Sequence, residues 1–288
     1  MELEFLLKLQ EFGNGYLDIL FKGLTNIGHE LTYIVIIMIL YWCVSKRAGI
    51  RLILALGFSQ LINLDVKNYF KMERPFILNP EIKPVYAESA PGFSFPSGHS
   101  QNAAAFWFYV SYMMRNKVVK TIAIIIPFII AFSRLYLRVH WPKDVLVGLA
   151  LGLITFIIIE KVTGMYVEKR VKMIHIVLYA VAFPMILIIL SGLDANAIKM
   201  GCALAGGLLG FYIETSYINF EEQAPLGFQI LKLILGVVVL LAIKEGLKMV
   251  LPEMIVFDGL RYFAMGIWAT LFAPWLFVKL RLTSKRMF

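Results

Sequence analysis

Residues 118–160 read VVKTIAIIIPFIIAFSRLYLRVHWPKDVLVGLALGLITFIIIE, and this stretch decides the fold. Two apolar runs, 118–137 and 143–160, meet at a polar segment around His140. A helix that crosses a lipid bilayer needs about 20 mostly apolar residues. The stretch therefore predicts two membrane-spanning helices joined by a polar connection at one membrane surface.

The same pattern recurs along the rest of the chain. Of its 288 residues 60% are hydrophobic and the mean hydropathy is +0.77, whereas a soluble domain stays near half apolar. We expect an all-α, polytopic transmembrane helical bundle of about nine spans, near 31–45, 49–66, 99–114, 118–137, 143–160, 173–191, 197–217, 230–250 and 260–280.

The predicted organisation has three parts. Residues 1–30 are expected to form interfacial helices without a secretory signal pattern. Residues 31–172 form a membrane core that holds all the residues with candidate chemistry, and 173–288 add further transmembrane helices. The two cysteines, Cys43 and Cys202, indicate neither a disulfide framework nor a metal site.

Basic residues orient the predicted helices. The net charge of +9 indicates a positive-inside bias more than nucleic-acid binding. Alternating helices place four basic clusters and the C-terminus on one side, which should be cytoplasmic: Lys46, Arg47 and Arg51; Arg115, Lys117 and Lys120; Lys161, Lys169, Arg170 and Lys172; and Lys279, Arg281, Lys285 and Arg286. The loop 65–96 and the segment around His140 then lie on the extracytoplasmic face.

Three segments carry candidate chemistry. The first is Lys67-Asn-Tyr-Phe-Lys-Met-Glu-Arg74-Pro75. Lys67, Lys71 and Arg74 point to one side if the second helix continues this far, although basic residues at a helix end also commonly snorkel to the membrane surface.

The second segment is Phe95-Pro96-Ser97-Gly98-His99-Ser100, which opens onto an apolar run. Free backbone N–H groups at a helix start bind anions, and Gly98 lets the backbone approach a ligand closely. His99 can transfer a proton near neutral pH. An ordinary N-cap serine beside a chance histidine remains the alternative.

The third segment is Ser133-Arg134-Leu-Tyr-Leu-Arg-Val-His140-Trp-Pro-Lys-Asp144. Pro142 suits the first turn of a helix, which places Asp144 close to His140. A carboxylate bonded to one ring N–H fixes the tautomer and makes the other nitrogen a better nucleophile. Asp144 could equally cap the helix.

Together the segments resemble the signature of the type 2 phosphatidic acid phosphatase family: Lys-x6-Arg-Pro, Pro-Ser-Gly-His and Ser-Arg-x5-His-x3-Asp. Every defined position is present, in order, within about residues 60 to 150. The chain looks like a long form of the family, with extra C-terminal transmembrane helices. The resemblance implies that residues 31–172 are a catalytic core and that the enzyme is a metal-independent phosphatase.

The resemblance also implies a role for each matched residue. His140 matches a nucleophile that becomes phosphorylated, Asp144 the residue that orients it, and His99 the acid that protonates the leaving oxygen. The groups that match phosphate-binding residues are Lys67, Arg74, Ser97, Gly98 and Arg134. We expect no cofactor and no metal, because cationic side chains neutralise the phosphate oxygens.

The expected substrate is a lipid phosphate monoester or diphosphate that is hydrolysed in a bacterial plasma membrane. Candidate substrates are an isoprenyl carrier phosphate or diphosphate, phosphatidate, phosphatidylglycerophosphate and a sphingoid-base phosphate. Two other functions stay open. One is hydrolysis of a soluble phosphate ester such as a sugar phosphate, and the other is lipid transport or scrambling with vestigial motifs. The sequence does not name the lipid, the oligomeric state or the role of the C-terminal helices.

Overall fold

The computed structural model describes residues 1–166 and 182–286, and over these ranges the chain is helical, with no strand. Its first part forms eight helices: Glu2–Glu11 (α1), Gly15–Ile27 (α2), Glu30–Ile39 (α3), Lys46–Phe70 (α4), Pro75–Leu78 (α5), Gly98–Met113 (α6), Lys117–Tyr136 (α7) and Pro142–Tyr166 (α8). The later helices are Phe183–Leu190, Ala195–Ile213, Leu226–Val250, Ile255–Ile267 and Ala273–Lys279. Shorter turns are π-helical at Leu40–Val44, Glu214–Ile218 and Trp268–Phe272, and 3₁₀-helical at Ala87–Ser89.

Six helical segments of the described chain are long and apolar enough to cross a membrane. A seventh would combine α2 with α3 and the turn that follows it, since Gly15–Ile27 and Glu30–Val44 form a pair bent by 47°. The predicted span 99–114 corresponds to α6, which has 16 residues. Residues 173–181 of the predicted span 173–191 lie outside the described residues, as do Lys169, Arg170, Lys172 and His175. The prediction of an all-helical transmembrane bundle is confirmed.

The chain forms two compact units. The first contains Met1–Ile34 and Phe58–Lys161, and the second contains Val35–Gly57 and Val162–Phe288. The division at residues 30 and 172 that the sequence suggests stays a prediction.

In the first unit, small residues let α6 and α8 approach closely. A Cβ at Gly148 would lie 2.7 Å from the carbonyl oxygen of Ser97, so only glycine fits there without movement. Side-chain amides tie α4 to α6, where Asn63 Nδ2 donates to Gln101 Oε1 at 2.8 Å. The start of α6 is therefore held from two sides.

The N-terminal helix α2 packs against α7. The rings of Phe21 and Tyr136 stack with centroids 4.1 Å apart, and Tyr136 donates its hydroxyl to Asp18 at 2.9 Å. These contacts bring the C-terminal end of α2 toward the segments that carry the candidate chemistry.

In the second unit, aromatic side chains bond to a π-helical turn. Tyr41 donates its hydroxyl to the carbonyl oxygen of Thr270 at 3.1 Å, and Trp42 donates its indole N–H to that of Ala269 at 2.8 Å. The fully buried Glu214 accepts from Lys46 Nζ at 3.0 Å. This ion pair gives the buried carboxylate a partner of opposite charge.

Candidate active site

The first motif leaves the helix before Arg74. Helix α4 ends at Phe70, Lys71 has a positive φ of 47°, and Arg74 is extended with ψ of 156°. The condition for Lys67, Lys71 and Arg74 to share one helix face is therefore not met, and Pro75 gives part of the reason because it disfavours helix at the residue before it. Lys71 is exposed, whereas Arg74 turns inward and is buried.

Every N–H of the Arg74 guanidinium has a partner. Nε donates to the carbonyl of Gly92 at 2.8 Å, and Nη2 donates to those of Pro91 at 2.8 Å and Phe93 at 3.1 Å. Nη1 donates to the carbonyl of Val139 at 2.8 Å and also lies 3.2 Å from His140 Nε2. Arg74 thus joins the loop before α6 to the loop before α8.

Lys67 reaches the same loop. Its Nζ donates to the carbonyl oxygens of Phe93 at 2.5 Å and Ser94 at 3.3 Å. Two of the three predicted cations therefore hold carbonyl oxygens of residues 91–94.

His140 is buried, and its tautomer follows from its partners. A guanidinium can only donate, so Nε2 of His140 must accept from Arg74 Nη1. The ring proton then sits on Nδ1, which faces Asp144 Oδ2 at 3.3 Å. The geometry agrees with the predicted pairing of His140 and Asp144, and Nε2 is the atom turned toward the cations.

Ser94 is a partner of this pair that the sequence did not reveal. Its hydroxyl donates to Asp144 Oδ2 at 2.5 Å and lies 3.4 Å from His140 Nδ1. The backbone N–H of Trp141 donates to the same carboxylate oxygen at 2.9 Å. Ser94 and Asp144 are both fully buried, so these bonds fix the carboxylate beside the ring.

The surroundings keep His140 neutral. Burial lowers the pKa of His140 well below its usual 6.5, and the positive charges of Arg74, Arg134 and Lys67, together with His99, lower it further. A neutral imidazole keeps the lone pair on Nε2, which a nucleophile requires.

The second motif forms the start of α6 as predicted. Ser97 is the N-cap, and its hydroxyl accepts from the hydroxyl of Ser100 at 2.9 Å. The backbone N–H of Ser97 donates to the carbonyl of Asp144 at 3.0 Å, which ties the second motif to the third. His99 lies in the first turn of α6 and contributes to the field on His140.

Arg134, in the last turn of α7, is fully buried. Its Nη1 donates to the hydroxyls of Thr25 at 2.8 Å and Ser89 at 3.1 Å, and its Nη2 donates to the carbonyl of Ser89 at 3.0 Å. Thr25 and Ser89 were not predicted, since neither belongs to one of the three motifs.

Three further polar side chains of the first unit have other hydrogen-bond or ion-pair partners. Arg138 donates from Nε to the carbonyl of Lys83 at 2.6 Å, and Lys143 forms an ion pair with Glu2 at 3.7 Å. His29 is exposed and accepts from the backbone N–H of Leu31 through Nδ1. No group of three or more His, Cys, Asp or Glu residues in the described chain has the geometry of a metal site.

A cavity of about 370 Å³ adjoins Arg74 in the first unit. Most of its lining is apolar, with Arg74 and Glu73 as the charged members: the others are Phe76, Ile77, Ala87, Ala90, Gly92 and Phe93. An apolar group attached to a ligand held by Arg74 could occupy this space.

Fold and site together define a multi-pass membrane protein in which a buried histidine–aspartate pair lies among three cations. The chain belongs to the PAP2 superfamily, which it matches over residues 48–167. Residues 198–286 match a second family, described as the transmembrane extension of PAP2 superfamily phosphatases. The predicted family and its long form are confirmed.

Similar proteins include lipid phosphatases. The chain is 30% identical to phosphatidylglycerophosphatase B of Bacillus subtilis over 158 residues, which are 50% of this chain and 74% of that protein. It is 29% identical to an undecaprenyl-diphosphatase of Sulfolobus acidocaldarius, over 45% of this chain and 62% of that protein. The crystal structure of LpxE from Aquifex aeolicus aligns with a TM-score of 0.51 and 27% identity, covering 56% of this chain and 94% of that one. These relatives confirm the prediction of a membrane enzyme of the phosphatase class.

Proposed function

We propose that the chain hydrolyses a lipid phosphate monoester or diphosphate through a phosphohistidine at His140. The observation that carries this proposal is the orientation of the His140 ring. Nδ1 faces Asp144, and Nε2 faces Arg74 among the other cations of the site. A neutral, oriented nucleophile beside donors for the phosphate oxygens is what phosphoryl transfer needs.

The reaction proceeds in two steps. His140 Nε2 attacks phosphorus, the bond from phosphorus to the lipid oxygen breaks, and His99 gives that oxygen its proton. Water then attacks the phosphohistidine, His99 takes a proton from the water, and inorganic phosphate leaves. Lys67, Arg74, Arg134, the hydroxyl of Ser97 and the backbone N–H of Gly98 bind the phosphate oxygens in both steps.

A lipid leaving group fits the surroundings of Arg74. The adjoining cavity is lined mostly by apolar side chains, and the relatives named above are a phosphatidylglycerophosphatase and an undecaprenyl-diphosphatase. A sugar phosphate would expose hydroxyl groups to the apolar lining without hydrogen-bond partners, which is unfavourable. We therefore place the substrate among lipid phosphates.

The site is assigned to the extracytoplasmic face of a bacterial plasma membrane, with the C-terminus in the cytoplasm. Support comes from α7, which begins beside the basic residues Arg115, Lys117 and Lys120 and ends at Tyr136, next to the site. A 20-residue helix is about 30 Å long, the thickness of the hydrocarbon core. The basic cluster marks the cytoplasmic end by the positive-inside bias.

Phosphate release from purified protein tests the proposal. Short-chain phosphatidate, phosphatidylglycerophosphate, an isoprenyl diphosphate and glucose 6-phosphate are compared in detergent, with His140→Ala as the blank and His29→Ala as a matched histidine control. We expect release from at least one lipid, none by His140→Ala and full activity in His29→Ala. Equal activity in His140→Ala, or activity on the sugar phosphate alone, would refute the proposal.

A further inference from the structure

The guanidinium of Arg134 is held by one edge. Nη1 donates to Thr25 and to the hydroxyl of Ser89, and Nη2 donates to the carbonyl of Ser89. Because Ser89 receives bonds from both terminal nitrogens, the edge formed by Nη1 and Nη2 is the one that Ser89 occupies. Thr25 takes the remaining hydrogen of Nη1.

The other edge of Arg134 is unused. Its Nε is buried and has no hydrogen-bond partner among the described residues. Nε–H and the second hydrogen of Nη2 point in the same direction, and such a pair binds two oxygens of one phosphate. A buried donor without a partner costs roughly 1–3 kcal/mol, so this edge favours an anion that supplies the missing acceptor.

Thr25 belongs to a part of the chain that the family match does not include. The match begins at residue 48, whereas Thr25 lies in the last turn of α2 and is fully buried. Helix α2 is held against α7 by Phe21 and Asp18, which both contact Tyr136. The threonine hydroxyl is therefore brought to Arg134 by the packing of a helix outside the three motifs.

We propose that Thr25 and Ser89 are positioning residues that clamp the Nη1/Nη2 edge of Arg134 and so present its Nε/Nη2 edge to the phosphate. This inference rests on the proposed function. It assigns the N-terminal helix α2 a part in phosphate binding, although no residue of α2 touches the reacting atoms. Without the clamp, the guanidinium can rotate and offer its other edge.

Orthovanadate, a phosphate-like anion, is the probe, and its binding to the full chain in detergent is measured by ⁵¹V NMR. Thr25→Val removes the hydroxyl at nearly constant volume, and Thr25→Ser restores it. Thr32→Val is the matched control, because the hydroxyl of Thr32 donates to the carbonyl of Asn26 at 2.9 Å and not to Arg134. We expect about tenfold weaker binding in Thr25→Val, the loss of one hydrogen bond to a charged group, and wild-type binding in the other two.

Ser89→Ala tests the other half of the clamp in case Thr25→Val fails to fold. Its control is Ser111→Ala, since that hydroxyl bonds only to the carbonyl of Phe108 within α6. If Thr25→Val and Ser89→Ala both bind vanadate within twofold of the wild type, the inference is overturned. The proposed function still stands in that case if the wild type releases phosphate. A wild type that neither releases phosphate nor binds vanadate overturns both.

Discussion

Arg74 Nη1 donates a hydrogen bond to His140 Nε2 at 3.2 Å. A residue predicted to bind phosphate therefore occupies the lone pair of the nitrogen that is proposed to attack phosphorus. The attack requires a free lone pair on Nε2. A phosphate oxygen that accepts from Nη1 would release it, because the arginine cannot serve both acceptors with one hydrogen. Binding of the substrate and exposure of the nucleophile are thereby coupled at one N–H group.

The first prediction concerns Asp144→Asn. An amide at position 144 keeps an oxygen that accepts from Ser94, Trp141 and His140, but it removes the negative charge that stabilises the ring during the attack. The loss of one electrostatic group in an active site lowers kcat about 10²–10³-fold, and we expect a loss of that size here. The measurement is kcat on the best lipid substrate. Ser94→Ala leaves the carboxylate in place, so a smaller loss is expected, and an Asp144→Asn enzyme with normal kcat would contradict the assigned pair.

The second prediction concerns pH. His140 is active when neutral, and its pKa lies well below 6.5 because of burial and the nearby cations. As the pH falls, protonation of Nε2 removes activity, so the acid limb of kcat/KM for the wild type should lie well below pH 6.5.

Arg74→Gln changes that limb in a defined direction. Removing a nearby positive charge raises the pKa of His140, so the acid limb should move to higher pH, on top of a loss in rate of about 10²-fold or more. Arg115→Gln, at an exposed arginine that does not contribute to the shift, should leave the limb in place. An unchanged limb in Arg74→Gln would show that another group controls it.

The third prediction concerns the packing of α8 on α6. Gly148→Ala places a methyl group 2.7 Å from the carbonyl oxygen of Ser97, so the N-terminus of α6 must move. We expect a loss of stability of about 1–3 kcal/mol and a lower kcat/KM. Gly23→Ala in α2 is the control, because a Cβ there meets no atom within 4 Å. Both quantities come from thermal unfolding in detergent and from the lipid assay, and equal results for the two variants would refute the packing argument.

The fourth prediction concerns metals. The cationic side chains at positions 67, 74 and 134 are proposed to neutralise the phosphate, so activity should persist after treatment with EDTA and dialysis. Phosphate release before and after treatment is the measurement. A loss of activity that added Mg²⁺ or Zn²⁺ restores would mean that the site uses a metal ion after all.

The sequence predicted the helical fold well, because helices of membrane length depend on local patterns. Apolar runs of membrane length define α7 and α8, and Pro142 and Asp144 fix the start of α8 in the way their types suggest. The backbone path after Phe70 could not be predicted, because Lys71 takes a left-handed conformation that its residue type does not indicate. The π-helical turns could not be predicted either, since their hydrogen bonds span only one residue more than those of an α-helix.

The hydrogen-bond partners of the motif residues could not be predicted from the sequence. Thr25, Ser89 and Ser94 are single polar residues without characteristic spacing, and only tertiary packing brings them to Arg134 and Asp144. An interaction between α2 and α7 depends on surface shape and on contacts such as Phe21 with Tyr136. Such pairings are set by the whole fold and leave no local signal.

The most direct test of the account is to trap the phosphorylated enzyme. Short-chain phosphatidate with a ³²P-labelled phosphate is mixed with excess protein and quenched within milliseconds, and the label on the protein is followed through acid and alkali. We predict a label that is stable to alkali and lost in acid, as expected of a phosphohistidine, present in the wild type and in His29→Ala and absent in His140→Ala. A label of the same amount and stability in His140→Ala would contradict the central claim.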